Sequence, residues 1–163
     1  MFLTRTTYLI ALVLAGVFAY AGAMKLRDRA ATTETFRDLG LPCPRLMAVG
    51  VPILELGIAA GLVVAPGVSA PATIVVLAFF TTLLAGRLRS GVAVNCGCFG
   101  QASVQPLSRT DIYRNLALIL GAVLASFASP TLPGPVHVAA AALAVGIASI
   151  SIARTRARTP AFT

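Results

Sequence analysis

Two cysteines one residue apart, in Asn95-Cys96-Gly97-Cys98-Phe99-Gly100, are the residues best suited to chemistry in this chain. Glycine admits positive φ, so Gly97 and Gly100 let the two sulfurs be steered toward each other or toward a partner. A disulfide across C-x-C closes a small strained ring, and strained disulfides are oxidising and exchange readily. That is the profile of a redox pair. A third thiol, Cys43 in Pro42-Cys43-Pro44, is the candidate resolving cysteine, exchanging by attack, mixed disulfide and resolution. The plainer readings are a structural cysteine turn and, for Cys43, a small apolar side chain at an interface. A closed zinc site wants four ligands, usually with C-x₂₋₄-C spacing. The one histidine, His137, falls on the opposite membrane face in the topology below, so no metal site is expected.

Glu55 is the one acidic residue inside an apolar run. An ionised carboxylate in a bilayer costs on the order of 2.5–3.5 kcal/mol unless paired or protonated. Lys25, closing the first apolar run, and Arg114, near the start of the fourth, are its candidate partners. Two roles follow: a helix-packing ion pair, or proton delivery to thiol or quinone chemistry. Asn115, Tyr20 and Tyr113 read as polar residues that cap or anchor helices. Phe79 and Phe80 read as packing or lipid-facing residues rather than as a cofactor pocket.

The elements that carry these residues follow from composition. The chain has 163 residues, of which 58% are hydrophobic and 11% charged, with a mean hydropathy of +0.90. Soluble domains carry roughly 25% charged residues, so most of these side chains face something other than water. Apolar runs fall at 7–24, 46–65, 68–86, 112–129 and 135–153, interrupted only by Glu55 and Arg114. Runs of such length span a hydrocarbon core of roughly 30 Å as helices, because in lipid every backbone N–H and C=O must be paired within its segment. The expected fold is an all-α, multi-pass membrane bundle forming one domain over 1–163. Small residues such as Gly57, Ala59, Ala60 and Gly61 suit close helix contact. Ala65-Pro66-Gly67 ends the second helix, and Pro71 is expected in the first turn of the third. Between the first two runs, Glu34, Phe36, Leu39 and Leu41 suggest a short amphipathic helix lying at the interface. The net charge of +8 does not argue for nucleic acid, since the basic residues sit in short clusters between apolar runs.

With five crossings, the first and third connections and the tail share one face. Twelve of the thirteen basic residues then lie on that face, against Arg5 opposite. The positive-inside rule places it in the cytoplasm. Ala19-Tyr20-Ala21 after Arg5 and an apolar run also matches a secretory cleavage site, and cleavage there would put the first connection outside. In either topology Cys43 and the Cys96–Cys98 turn occupy the same face.

Cys96-Gly97-Cys98-Phe99-Gly100 resembles the hallmark of the methylamine-utilisation MauE family, within the DoxX-like group of membrane proteins. Gly22-Ala23-Met24-Lys25-Leu26, Leu54-Glu55-Leu56-Gly57 and Arg114-Asn115-Leu116 are similar to further family motifs, over roughly residues 8–128. The resemblance implies a DoxX-like four-helix core, here with a fifth helix appended, in a bacterial cell membrane. It also implies a redox-associated role: helping to mature the disulfide-rich small subunit of methylamine dehydrogenase alongside a thioredoxin-like partner. That role implies thiols outside the cytoplasm, opposite to the charge count.

The leading expectation is a membrane thiol–disulfide component. Cys96 and Cys98 exchange, Cys43 resolves, and Glu55 with Lys25 or Arg114 tunes or supplies protons. A thioredoxin-like or client redox protein is one couple and quinone a candidate for the other. The second reading is a non-catalytic assembly factor or accessory subunit, which would keep working with both Cys96 and Cys98 replaced by serine. A small transporter has only Glu55 in its favour. A membrane-impermeant maleimide applied to intact cells reads the sidedness. The charge count predicts thiols that label only after the membrane is breached; labelling of intact cells would put the cysteine face outside.

Overall fold

A computed structural model describes residues 2–90 and 107–128. Among them are five helices and no strand. Helix α1 runs Phe2–Arg27, α2 Arg29–Asp38, α3 Pro44–Val64, α4 Pro66–Arg89 and α5 Arg109–Ala125. By length and composition α1, α3 and α4 can each cross a membrane. The all-α membrane bundle expected from the apolar runs is present. The fifth expected helix, 135–153, lies outside the described residues.

Local chemistry explains the joints. Asp28 leaves helical geometry between α1 and α2, and its carboxylate accepts the Ala31 N–H at 3.0 Å as an N-cap. The Thr32 hydroxyl reaches the carbonyls of Lys25 and Asp28 at 3.1 and 2.8 Å, so the chain turns without a loop. At the far end of α2, Gly40 takes φ +72°. The Leu41 and Gly40 N–H groups then donate to the Phe36 and Arg37 carbonyls at 3.0 and 2.9 Å. This is a Schellman closure, sealed by the usual apolar contact between its ends, here Leu41 with Phe36. The Asp111 carboxylate accepts the Ser108 N–H at 3.0 Å and caps α5.

The α3–α4 hairpin turns on Ala65 alone, and Pro66 occupies the first position of α4. That corrects the expected start near Val68. Pro71 is therefore not in the first turn but one turn further in, because Pro66, lacking an N–H, already fills the slot that suits proline.

Four helices form a closed ring in the order α1, α3, α4, α5, each packed on its neighbours. The packing is antiparallel throughout. The Tyr8 hydroxyl near the start of α1 donates to the Val63 carbonyl near the end of α3 at 3.0 Å, while Gly22 lies against Pro52 and Glu55. The core between them holds Leu14, Phe18, Ile58, Leu62, Leu77 and Ala122. Leu9, Val13, Ile53, Val68, Val75, Phe79, Leu120 and Phe127 face outward. A belt of this kind suits lipid and would aggregate in water.

Helix α2 departs from the interfacial expectation. Phe36, Leu39 and Leu41 point into the bundle and pack with Ala48 of α3 and Leu84 of α4. Apolar residues that find partners in the protein need not dip into lipid, and α2 closes one end of the ring.

A Cβ on Gly22 would stand 2.9 Å from the Pro52 carbonyl oxygen, whereas nothing lies within 4 Å of one on Gly57. Gly22→Ala should lower stability by about 1–3 kcal/mol, as overpacking does. Gly57→Ala should leave it unchanged or raise it slightly, alanine being the better helix former. Thermal unfolding in detergent compares the two, and equal effects would refute the close α1–α3 approach.

Candidate functional site

Lys25 sits in the last turn of α1 and Glu55 midway along α3. Antiparallel packing brings these helices together, and the lysine stem lets the ammonium reach inward along apolar surface. The Lys25 Nζ donates to Glu55 Oε1, with both side chains almost wholly buried. The same ammonium stands 5.9 Å from the centre of the Phe80 ring, within cation–π range. Phe36 of α2 stacks on Phe80 at 6.2 Å between centroids, and Phe79 meets Phe80 edge-on at 5.5 Å. Glu55 Oε2 is buried and has no hydrogen-bond partner among the described residues.

Beside the pair is a cavity of about 60 Å³ that all five helices line. Lys25, Glu55 and Asn115 give it polar groups; Phe18, Phe36, Phe80 and aliphatic side chains form the rest of its wall. Helix α2 covers it from the end of the bundle through Phe36 and Leu39.

Of the two candidate partners for Glu55, the structure selects Lys25. Arg114 instead pairs with Asp111 one turn earlier in α5, at 3.3 Å. Asn115, expected to cap or anchor, is buried and faces the cavity. Tyr113 is exposed. Phe79 faces outward as expected, but Phe80 turns in and lines the cavity. Sequence reasoning placed Phe36 in an interfacial helix and read Phe80 as packing or lipid-facing rather than as part of a pocket. Each lies on a stripe of helical spacing that carried the signal: 32 and 36 in α2 with Leu39 at its cap, and 73, 77, 80 and 84 in α4.

Cys43 is exposed. Pro44 takes the first position of α3, and a residue before proline is driven out of the right-handed helical region. Cys43 adopts φ 50°, ψ 57°, a left-handed conformation costing roughly 1–2 kcal/mol outside glycine. Its carbonyl nevertheless accepts from Leu46 and Met47 at 2.9 and 3.1 Å, starting the helix. Cys96, Gly97, Cys98, Phe99 and Gly100 lie outside the described residues. The residues flanking that segment are described. The Arg87 guanidinium, near the end of α4, lies against Gly40, and Leu107 packs on the cluster of Phe36, Leu39, Leu41, Ala48 and Leu84. One flank thus meets the turn that leads into Cys43, and the other meets the apolar cluster beside it.

The buried pair should be far more sensitive to charge removal than the half-exposed one. Glu55→Gln leaves the Lys25 ammonium buried and unpaired, and should cost about 3–5 kcal/mol. Asp111→Asn keeps a capping oxygen and should cost less than about 1 kcal/mol. Unfolding monitored by circular dichroism in micelles checks the contrast; comparable losses would mean the Lys25–Glu55 contact is not a desolvated pair.

The family model for methylamine utilisation protein MauE matches residues 3–129. The methylamine utilization protein MauE of Paracoccus denitrificans is 34% identical over 112 residues, which cover 64% of this chain and 60% of that relative. No solved structure matches the chain. The family match takes in α2 to α5, nearly all of α1, the Lys25–Glu55 pair and the cysteine segment, and the chain belongs to the methylamine utilisation protein MauE family.

Proposed function

We propose that the protein is a membrane thiol–disulfide component that helps redox proteins acquire their disulfides, working in a bacterial cell membrane with a thioredoxin-like partner. A role in methylamine utilisation is supported by the family and by the name of its relative. The observation that carries the redox reading is the position of Cys43. It is an exposed thiol three residues beyond Gly40, which Arg87 on one flank of the Cys96–Cys98 segment lies against, and near the cluster on which Leu107 of the other flank packs.

In the proposed cycle a thiolate of the client or its thioredoxin-like carrier attacks the Cys96–Cys98 disulfide. A mixed disulfide forms and one cysteine leaves as thiolate. The client's second thiolate then closes the client disulfide and releases the other cysteine. Two electrons and two protons pass from the client dithiol to the Cys96–Cys98 pair. Cys43 is proposed to intercept the mixed disulfide when the second client thiolate is slow. Glu55 and Lys25 hold the helix ends that present these thiols.

Acid quenching and alkylation in cells test the pair. Cys96→Ser or Cys98→Ser should trap a partner as a disulfide adduct that reductant dissolves, with adducts at least tenfold above the double Cys96→Ser/Cys98→Ser variant. If neither thiol ever changes state, and the double variant supports maturation fully, the protein is an accessory scaffold instead.

A further inference from the structure

We propose that the groove between the end of α4 and the start of α5 binds the headgroup of an anionic phospholipid, a phosphodiester with no amine to balance it, such as phosphatidylglycerol. The groove has a volume of about 460 Å³ and is lined by Ala85, Leu88, Arg89, Arg109, Ile112 and Tyr113. It shares no residue with the cavity beside the Lys25–Glu55 pair, and its occupancy does not depend on the thiol reading.

Helix geometry brings the two arginines to it. Arg87 and Arg89 share the last turn of α4, but two residues turn a helix by about 200°. Arg87 therefore lies against Gly40, while Arg89 is exposed and lines the groove. Arg109, the first residue of α5, is exposed as well. Among the described residues neither forms a salt bridge, unlike Arg37 and Arg114. Asp111, the carboxylate in the first turn of α5, already serves Ser108 and Arg114. Two guanidiniums on one groove repel, and Arg109 stands at the helix end where the dipole disfavours cations. A phosphate in the groove offsets both effects, and the guanidinium fork matches its oxygens.

The rest of the lining selects a lipid over a free anion. Ala85, Leu88 and Ile112 are apolar, and a small soluble anion would gain nothing from them. Tyr113, Leu116, Leu120 and Leu124 form an exposed stripe at helical spacing that runs from the groove along α5, a track for an acyl chain. Tyrosine is enriched at membrane–water interfaces, and the Tyr113 hydroxyl can donate to a phosphate or ester oxygen. Among the described residues no carboxylate lines the groove, so the ammonium of a zwitterionic headgroup would find no counter-charge. Basic pockets between membrane helices are where anionic headgroups bind.

Native mass spectrometry of the full-length protein, from micelles doped with dioleoylphosphatidylglycerol or dioleoylphosphatidylcholine, tests the site. The anionic lipid should be retained about tenfold more strongly, the preference expected of two arginines at a headgroup. Arg89→Gln/Arg109→Gln should abolish that preference with helicity unchanged. Arg29→Gln/Arg45→Gln, which removes the same charge from the same end of the bundle, should keep it. Glycerol 3-phosphate should not displace the lipid. A diazirine-bearing phosphatidylglycerol reads the site without any substitution. In nanodiscs its label should map to peptides containing Leu88 or Ile112 and be competed by unlabelled phosphatidylglycerol, not by phosphatidylcholine. Equal retention of the two lipids, equal loss in both pairs of variants, or label without that selectivity overturns the site. Displacement by glycerol 3-phosphate would make it a soluble-anion site and overturns the lipid. A glutamine pair that keeps the lipid preference but loses the trapped adduct of Cys96→Ser assigns the groove to the redox partner, and also overturns it.

Discussion

A lysine and a glutamate, each costly when buried alone inside a membrane bundle, neutralise one another between α1 and α3. Taking two charges out of water costs several kcal/mol per ion after relaxation, and their attraction offsets this only in good geometry. That requirement fixes the relative position of α1 and α3 more tightly than slippery apolar packing would. It also reaches further. The Lys25 carbonyl anchors Thr32 at the start of α2, and the Lys25 ammonium faces Phe80 of α4, on which Phe36 of α2 stacks. One ion pair therefore ties four helices together at the end of the bundle where Cys43 is exposed.

The same end gathers the basic residues of the described helices other than Arg5. Among the described residues, Lys25, Arg27, Arg29, Arg37, Arg45, Arg87, Arg89, Arg109 and Arg114 all belong to the ends of helices that meet there or to α2. The opposite end is closed by the single-residue Ala65 hairpin. Among the described residues the basic side chains are thus concentrated at one end of the bundle. Cys43 lies on a left-handed turn at that end, and the cavity with the buried Glu55 carboxylate lies between the helices.

Much of the fold was legible because lipid simplifies the code. Apolar runs near twenty residues become helices whatever their propensities, since no other conformation pairs the backbone. Most boundaries shifted by a few residues: α1 extends to Phe2 and Arg27, α3 begins at Pro44, α4 runs from Pro66 to Arg89, and α5, capped by Ser108 and Asp111, ends at Ala125. Glu55 was legible as exceptional, but its partner was not. Lys25 and Arg114 enter from the same face, and only the depth of Lys25 against α3, set by the bare Gly22, distinguishes them. The inward turn of α2 was illegible for a related reason. Amphipathicity says that Phe36, Leu39 and Leu41 share a face, not whether lipid or Leu84 receives it. Phe80 was left between packing and lipid because an aromatic in an apolar run carries no label for inside or outside until its stripe partners Thr73, Leu77 and Leu84 are traced.

The most direct measurement is a double-mutant cycle on the ion pair, with Lys25→Met, Glu55→Leu and the combination unfolded in the same micelles. A desolvated pair predicts that each single change is costly while the combined change recovers most of the loss, giving a coupling of about 2 kcal/mol or more. Losses that simply add would contradict it, and with it the claim that Lys25 and Glu55 organise this end of the bundle.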